Sequence, residues 1–230
     1  MRCLTIGHRG AKGLAPENTL RALRIGFERA DAVECDVSLS GDGALAVIHD
    51  GSLMRRIRLR GRVKDFTMAA LSSFDAGDGE KLPSLRDVIL LAGSFSKPLI
   101  IEIKTFARGD PRLPAEVLKK TLLSFPDLPE IMVCSFNHET LRHFRNIMPG
   151  IKIIATIKQE MTGDEICALI DSISPEGVSV DFRGLTPSLA AKIKDKGVFL
   201  QAWVVNSDKD FKRMAKMGVD WVYTDFPGKF

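Results

Sequence analysis

Aromatic residues, histidines and long apolar runs are all scarce in this chain of 230 residues. It contains one tyrosine, two tryptophans and four histidines, and its formal net charge is only +4. A mild charge with little interleaving of basic and aromatic residues argues against a nucleic-acid-binding surface. No apolar run approaches the ~20 residues that a membrane span needs. We therefore expect no nucleic-acid partner and no stable insertion into a membrane.

Cysteine is sparse as well, and its pattern argues against a zinc-knuckle or disulfide-stapled protein. The cysteines are Cys3, Cys35, Cys134 and Cys167, and none has the spacing of a metal knuckle. Three of them lie in apolar runs, which predicts buried, reduced thiols. No apolar signal region precedes the first run, so we expect a cytoplasmic protein. The sequence leaves a monomer and a homodimer both open.

Eight short apolar runs recur along the chain, and helical periodicity fills most of the segments between them. The runs lie at 3–7, 32–37, 99–103, 131–135, 152–156, 177–180, 198–203 and 220–223. The predicted helices lie at 18–30, 84–91, 114–124, 138–147, 163–171, 187–196 and 208–217. Such alternation predicts parallel strands joined by right-handed crossovers. We predict one α/β domain over 1–230, a TIM-type (β/α)8 barrel whose last helix is reduced or absent. A doubly wound open sheet is the alternative.

A ninth apolar run, 45–48, breaks this rhythm. It follows the second strand after the turn-rich segment 40–43, which is too short for a parallel crossover and predicts a β-hairpin over 37–48. A short insertion follows at 51–80. Its basic segment 55–64 alternates with apolar residues, which predicts extended structure. We interpret this segment as a solvated basic face; the alternative is a patch that attracts anionic head groups.

Acidic residues occur within two apolar strands, near the end where a parallel barrel places its chemistry. Glu34 and Asp36 share one face of the second strand, and Cys35 faces the other way. Glu102 and Lys104 share a face of the third barrel strand. Paired inward carboxylates are costly unless a cation compensates them. Three carboxylates predict one divalent cation, Mg²⁺ or Ca²⁺. A simple salt bridge between Glu102 and Lys104 is the alternative.

Two histidines and two cations are predicted at the same mouth of the barrel. His8 and His49 each follow an apolar run, and two histidines across a bound metal are suited to act as general base and general acid. Arg9 and Lys104 would bind a phosphate and stabilise its charge. Trp203 ends the seventh strand, where packing in the core and contact with a substrate are both open. We interpret the remaining two histidines as surface residues.

Short motifs with fixed order and spacing run almost the whole length of the chain. They are His8-Arg9-Gly10, Pro16-Glu17-Asn18-Thr19, Glu34-x-Asp36-Val37, Gly41-Asp42-Gly43, His49-Asp50, Leu82-Pro83-Ser84-Leu85, Glu102-x-Lys104, Ser135-Phe136, Trp203-x-Val205-Asn206, Gly218-Val219-Asp220 and Thr224-Asp225-Phe226-Pro227. In this combination the chain resembles the glycerophosphodiester phosphodiesterases. Departures after His49-Asp50 and at Val204 leave the identity of the alcohol open.

The resemblance implies a TIM-type barrel that acts in lipid metabolism on a small-molecule glycerophosphodiester. The implied reaction is metal-dependent hydrolysis to glycerol 3-phosphate and an alcohol. The implied site residues are the metal ligands Glu34, Asp36 and Glu102, the acid–base pair His8 and His49, the phosphate-binding Arg9 and Lys104, and the substrate-binding Trp203 and Phe136. The alternative reaction is that of a phospholipase of C or D type acting on lysolipid or membrane lipid.

Overall fold

The computed structural model describes residues 2–105 and 110–230 and shows a closed barrel. Its strands are β1 (Leu4–Gly7), β2 (Ala32–Leu39), β3 (Leu45–Val47), β4 (Leu99–Ile103), β5 (Ile131–Ser135), β6 (Lys152–Thr156), β7 (Gly177–Asp181), β8 (Phe199–Trp203) and β9 (Trp221–Thr224). All strands except β3 pair in parallel, and β1 pairs with both β2 and β9, which closes the sheet. The predicted (β/α)8 barrel is confirmed, and the open sheet is wrong.

Helices alternate with these strands and form the outer layer. They are α1 (Leu20–Arg29), α2 (Met54–Ile57), α3 (Met68–Ser73), α4 (Leu85–Ala92), α5 (Leu113–Leu123), α6 (His138–Ile147), α7 (Gly163–Ile173), α8 (Pro187–Lys194) and α9 (Asp208–Lys216). Ser84 caps α4 in a reciprocal box with Asp87, whose carboxylate accepts from the Ser84 N–H at 2.8 Å. The described residues after β9 contain a turn and no helix, as predicted. No helix in the described part of the chain is long and apolar enough to cross a membrane.

The hairpin explains how β2 reaches above the rest of the barrel wall. On one side β2 pairs with β4 over five residues. On the other side it pairs with β1 only at Ala32 and Val33, and then with antiparallel β3 from Val37 to Leu39. The predicted hairpin is therefore confirmed. Between the two pairings, the upper part of β2 faces the turn that follows β1 instead of another strand.

The insertion is compact, and its basic segment 55–64 is not extended as predicted. It contains α2, a 3₁₀ turn at Val63–Asp65 and α3. Buried Leu53, Val63 and Leu71 form a separate small core, against which Ile57 packs. The alternating apolar residues do not lie on one face of a strand. They are the buried residues of short helices and turns. The basic side chains at 58, 60, 62 and 64 are exposed, in accord with a solvated face.

Cysteines and the remaining histidines depart in part from expectation. All four cysteines are free, but Cys167 on α7 is only partly buried, whereas the other three are buried. The Nε2 atom of His138 lies 2.9 Å from the Thr156 carbonyl oxygen, and that of His143 lies 2.6 Å from Glu116 Oε1. Both histidines keep intermediate exposure, so they lie at the surface as interpreted, but each is held by a hydrogen bond.

Three glycines hold the turn after β1 against α1. A Cβ on Gly7 would lie 2.3 Å from the Gly10 carbonyl oxygen, and one on Gly26 would lie 2.7 Å from the same atom. A Cβ on Gly10 would lie 2.4 Å from the carbonyl carbon of Ala22 in α1. These are contacts between backbones, which no side-chain movement can relieve. The turn that carries His8 is therefore fixed by the helix behind it.

Gly10→Ala should destabilise the fold more than a matched glycine substitution in open space. Gly10 has φ +81 and Gly43 has φ +77, but a Cβ on Gly43 meets nothing within 4 Å. Gly43→Ala should therefore cost only the left-handed backbone strain, about 1–2 kcal/mol. Gly10→Ala should cost about 1–3 kcal/mol more, because α1 must shift. Urea unfolding measures both, and equal losses would contradict this packing argument.

Candidate active site

Glu34, Asp36 and Glu102 meet at the carboxyl ends of neighbouring strands. Asp36 and Glu102 are register partners of β2 and β4, and one carboxylate oxygen from each of the three residues lies within 4.8 Å of the others. Glu34 and Asp36 are each 1% exposed. Alternation along β2 points both acids into the lumen, below which Ile100 and Met132 form an apolar floor. The acidic cluster is thus closed from beneath and opens only at the mouth.

Two cations compensate part of this charge. The Arg9 backbone N–H donates to Glu34 Oε2 at 2.8 Å, and Arg9 Nε lies 3.3 Å from Asp36 Oδ2. The Lys104 ammonium lies 3.0 Å from Asp36 Oδ1 and contacts Glu102 as well. The salt bridge considered from sequence therefore exists, but it is one part of a larger charged cluster.

The pKa shifts show that Arg9 and Lys104 do not compensate the three carboxylates equally. Burial, and next the carboxylates of Asp36 and Glu102, raise the pKa of Glu34 well above its usual value. Burial raises the pKa of Glu102 to about 7, although Lys104 opposes the shift. Burial also favours neutral Asp36, but Lys104 and Arg9 outweigh it and hold the pKa of Asp36 below its usual range. Negative charge at Glu34 and Glu102 remains unfavourable in this arrangement.

A divalent cation fits this cluster. Three carboxylates face two cationic side chains, Arg9 and Lys104, so full ionisation leaves an excess negative charge. Glu34 Oε1 is buried without a hydrogen-bond partner among residues 2–105 and 110–230. Buried carboxylate oxygens in native proteins are normally paired or bound to metal. An all-oxygen set suits a hard ion such as Mg²⁺ or Ca²⁺.

Each mouth histidine is held by its own carboxylate. His8 Nδ1 lies 2.7 Å from Asp225 Oδ1, and His49 Nδ1 lies 2.6 Å from Asp50 Oδ1. A carboxylate at Nδ1 places the proton on that nitrogen and leaves Nε2 as an acceptor. Burial lowers the pKa of His8 and of His49, against the opposing effect of their acidic neighbours. Both imidazoles are therefore neutral near pH 7, a state that can accept a proton at Nε2.

A buried glutamate links the two halves of the mouth. Glu17, which is 6% exposed, accepts from Arg9 at 3.0 Å and from Arg55 at 2.5 Å. Arg55 on α2 also contacts Asp50, the partner of His49. Arg9 is thus connected to His49 through three intervening side chains. Glu17, Arg55 and Asp50 had no assigned role in the sequence analysis, although Glu17 and Asp50 lie within its motifs.

Two asparagines support the carboxylates, and sequence reasoning gave them no role either. Asn18 Nδ2 donates to Asp36 Oδ2 at 2.8 Å, and the Asp36 backbone N–H donates to Asn18 Oδ1 at 3.2 Å. Asn206 Nδ2 donates to Asp225 Oδ2 at 2.7 Å. Their positions in the sequence could have identified them, because Asn18, Asn206 and Asp225 all follow barrel strands at the mouth.

Trp203 and Phe136 form an aromatic wall beside the cluster. Their ring centroids are 5.7 Å apart at an interplanar angle of 76°, and the Lys104 ammonium lies 5.9 Å from the Phe136 centroid. Trp203 Nε1 is buried and has no hydrogen-bond partner in the described part of the chain. The structure thus brings every predicted site residue to one mouth, where the aromatic wall covers one side of the charged cluster.

The barrel is closed and parallel, and its charged side chains and two histidine–carboxylate pairs lie at the carboxyl ends of the strands. This is the arrangement of a barrel hydrolase. The model of the glycerophosphoryl diester phosphodiesterase family matches residues 8–229. The chain belongs to this family and is an enzyme of the phosphoric diester hydrolase class.

Relatives and solved structures of the family match nearly the whole chain. A glycerophosphodiester phosphodiesterase of Caldanaerobacter subterraneus subsp. tengcongensis is 34% identical over 241 residues, covering 99% of this chain and 96% of the relative. One of Bacillus altitudinis is 31% identical over 233 residues, covering 96% and 94%. An Oleispira antarctica phosphodiesterase, solved in complex with the product sn-glycerol-3-phosphate, has a TM-score of 0.91 at 25% identity, covering 98% of this chain and 94% of that structure.

Replacing one cluster acid should stabilise the metal-free protein. Glu34→Gln should raise the free energy of unfolding by roughly 1–2 kcal/mol, because one of three crowded carboxylates is removed. The amide oxygen can still accept from the Arg9 N–H. Glu17→Gln should instead lower the free energy of unfolding by about 3 kcal/mol, because Arg9 and Arg55 lose a buried counter-charge. Urea unfolding in EDTA measures both changes. A comparable loss of stability in both variants would contradict the conclusion that Glu34 is poorly compensated by nearby positive charge.

Proposed function

We propose that the chain catalyses metal-dependent hydrolysis of glycerophosphodiesters to glycerol 3-phosphate and an alcohol. The observation that carries this proposal is the buried cluster of Glu34, Asp36 and Glu102 beside two histidines that are each paired with a carboxylate at Nδ1. The Nε2 atom of His8 accepts a hydrogen bond from Arg9 Nε at 3.2 Å, which keeps it directed at the guanidinium that would bind the phosphate. The family and the product complex of the Oleispira antarctica relative support the substrate class. The buried free thiols are compatible with a reducing cytoplasm, where deacylated lipids would be the substrate source.

The charged residues divide into metal ligands and phosphate ligands. Glu34, Asp36 and Glu102 would hold one cation, either Mg²⁺ or Ca²⁺. When bound, this ion supplies positive charge to the phosphate oxygens. Arg9 and Lys104 flank the same position and bind the remaining phosphate oxygens through charge-assisted hydrogen bonds. Because both side chains are held by buried carboxylates, their charge is already oriented before the substrate arrives.

The two histidines move the protons. One neutral imidazole accepts the proton of the attacking hydroxyl at Nε2. The other must first take up a proton at Nε2, which the negative charge of the bound phosphate favours, and as an imidazolium it then donates that proton to the departing alkoxide. Asp225 and Asp50 stabilise the imidazolium that forms in His8 or His49 and keep each ring in its tautomer. Trp203 contributes its ring to the glycerol end, beside Phe136.

Metal dependence can be tested on a soluble substrate. Hydrolysis of glycerophosphoglycerol should stop in EDTA and return when either Mg²⁺ or Ca²⁺ is added in excess, because excess carboxylate charge opposes phosphate binding. ³¹P NMR separates the diester from the monoester product. Full activity in EDTA, or none with either ion, would refute the proposed reaction.

His49→Ala and Glu102→Ala should fail in different ways. His49→Ala should lower kcat by on the order of 10²–10⁴-fold while cation binding survives, because only proton transfer is lost. Glu102→Ala should weaken cation binding, as measured by calorimetry, and lose activity with it. His143→Ala is the matched control, since His143 also pairs with a carboxylate, that of Glu116, but lies outside the mouth. Near-normal turnover of His49→Ala would refute its assigned role.

A further inference from the structure

A groove beside the acidic cluster runs across the barrel mouth and shares Lys104 and Phe136 with the candidate site. It encloses about 1360 Å³ between two walls. The insertion contributes Arg62 and Lys64 to one wall, and the segments after β4, β5 and β6 contribute Lys104, Phe136 and Lys158 to the other. Lys104 lies at the inner end, because it also contacts the acidic cluster. Any substituent on a phosphate bound at Lys104 can therefore extend into this groove.

The groove is strongly cationic along its length. Arg62, Lys64, Lys104 and Lys158 line it, whereas Asp110 is the one acidic residue among its described lining. Arg62, Lys64 and Lys158 are exposed and form no salt bridge within residues 2–105 and 110–230. Cations that face one another across a cleft focus a positive potential into it. The charge of these three side chains is thus available to a ligand.

This lining selects among the alcohols that a glycerophosphodiester can carry. A quaternary ammonium group is bound by aromatic faces or acidic groups, but Phe136 is the only Phe, Tyr or Trp among the described lining residues. An uncharged polyol can form hydrogen bonds with the groove, but the positive electrostatic potential of the groove does not favour its binding. A phosphate or carboxylate on the alcohol gains both charge pairing and hydrogen bonds.

We propose that the groove binds the alcohol portion of the substrate and favours alcohols that carry an anionic group of their own, such as a second phosphate. This inference rests on the proposed hydrolysis and adds the substrate class. The reacting phosphate occupies the inner end at Lys104, and the second anionic group lies between Lys64 and Lys158 on opposite walls. The basic insertion thereby becomes part of substrate selection.

Two matched substrates test the inference. Glycerophosphoglycerol has a neutral alcohol, whereas bis(glycerophospho)glycerol presents the same glycerol with a second phosphodiester attached. The latter has two equivalent cleavable bonds, so a site blind to charge gives a kcat/KM ratio of about two by statistics alone. We expect the ratio to exceed this value on the order of tenfold at low ionic strength. It should fall toward two near 0.5 M salt, since screening removes exposed charge interactions.

A charge-reversed variant separates the groove from the overall charge of the protein. Lys64→Glu/Lys158→Glu should reduce the substrate ratio to about two or below. Arg60→Glu/Lys212→Glu changes the net charge equally at exposed residues that do not line the groove, and it should keep both the ratio and the basal activity. Steady-state kinetics followed by ³¹P NMR gives both values.

The outcomes distinguish the inference from the proposed function. Hydrolysis of both substrates in the statistical ratio, unaffected by Lys64→Glu/Lys158→Glu, would overturn the groove assignment and leave the hydrolase intact. An equal fall of the ratio in the control variant would also overturn it, because the effect would then belong to the whole-molecule field. Hydrolysis of neither substrate would overturn both proposals.

Discussion

Buried negative charge at the carboxyl ends of β2 and β4 is the constraint around which the mouth of this barrel is arranged. Three carboxylates below the solvent boundary cannot all ionise without nearby positive charge. Arg9 supplies its backbone N–H to Glu34 and its guanidinium to Asp36 and Glu17. Lys104 supplies the remaining contact. Each cation therefore has a structural task, which is to offset part of the buried negative charge.

The site is locally unfavourable and depends on stability supplied elsewhere. Glu34 has a raised pKa and a buried oxygen that finds no hydrogen-bond partner among the described residues, and native proteins tolerate such conditions mainly at functional positions. An apolar lumen floor and close backbone packing of Gly10 against α1 hold the acids and the His8 turn in place. The network from Glu17 through Arg55 to Asp50 extends this support to His49. The rigid packing of the barrel thus keeps the three carboxylates close together despite their unfavourable burial.

Local patterns in the sequence were enough for the barrel, the hairpin and the acids, because each depends on short-range periodicity. Period-two alternation alone brings Glu34 and Asp36 to one face. The partner of His8 was beyond such reasoning, since Asp225 meets His8 only when the first and last strands pair. The insertion misled for a related reason. Its apolar spacing fits a strand, but packing of Val63 with neighbouring short helices decides its structure.

The seam between β1 and β9 has a consequence for when the enzyme becomes competent. His8 and Asp225 are 217 positions apart, and Gly7 and Thr224 are register partners in that seam. The acidic cluster belongs to strands made early, whereas the carboxylate that fixes the His8 ring belongs to the last strand. A nascent chain on the ribosome therefore contains the acids before Asp225 is available to hold the His8 ring. The residues at the mouth are therefore completely assembled only after β1 and β9 have paired and closed the barrel.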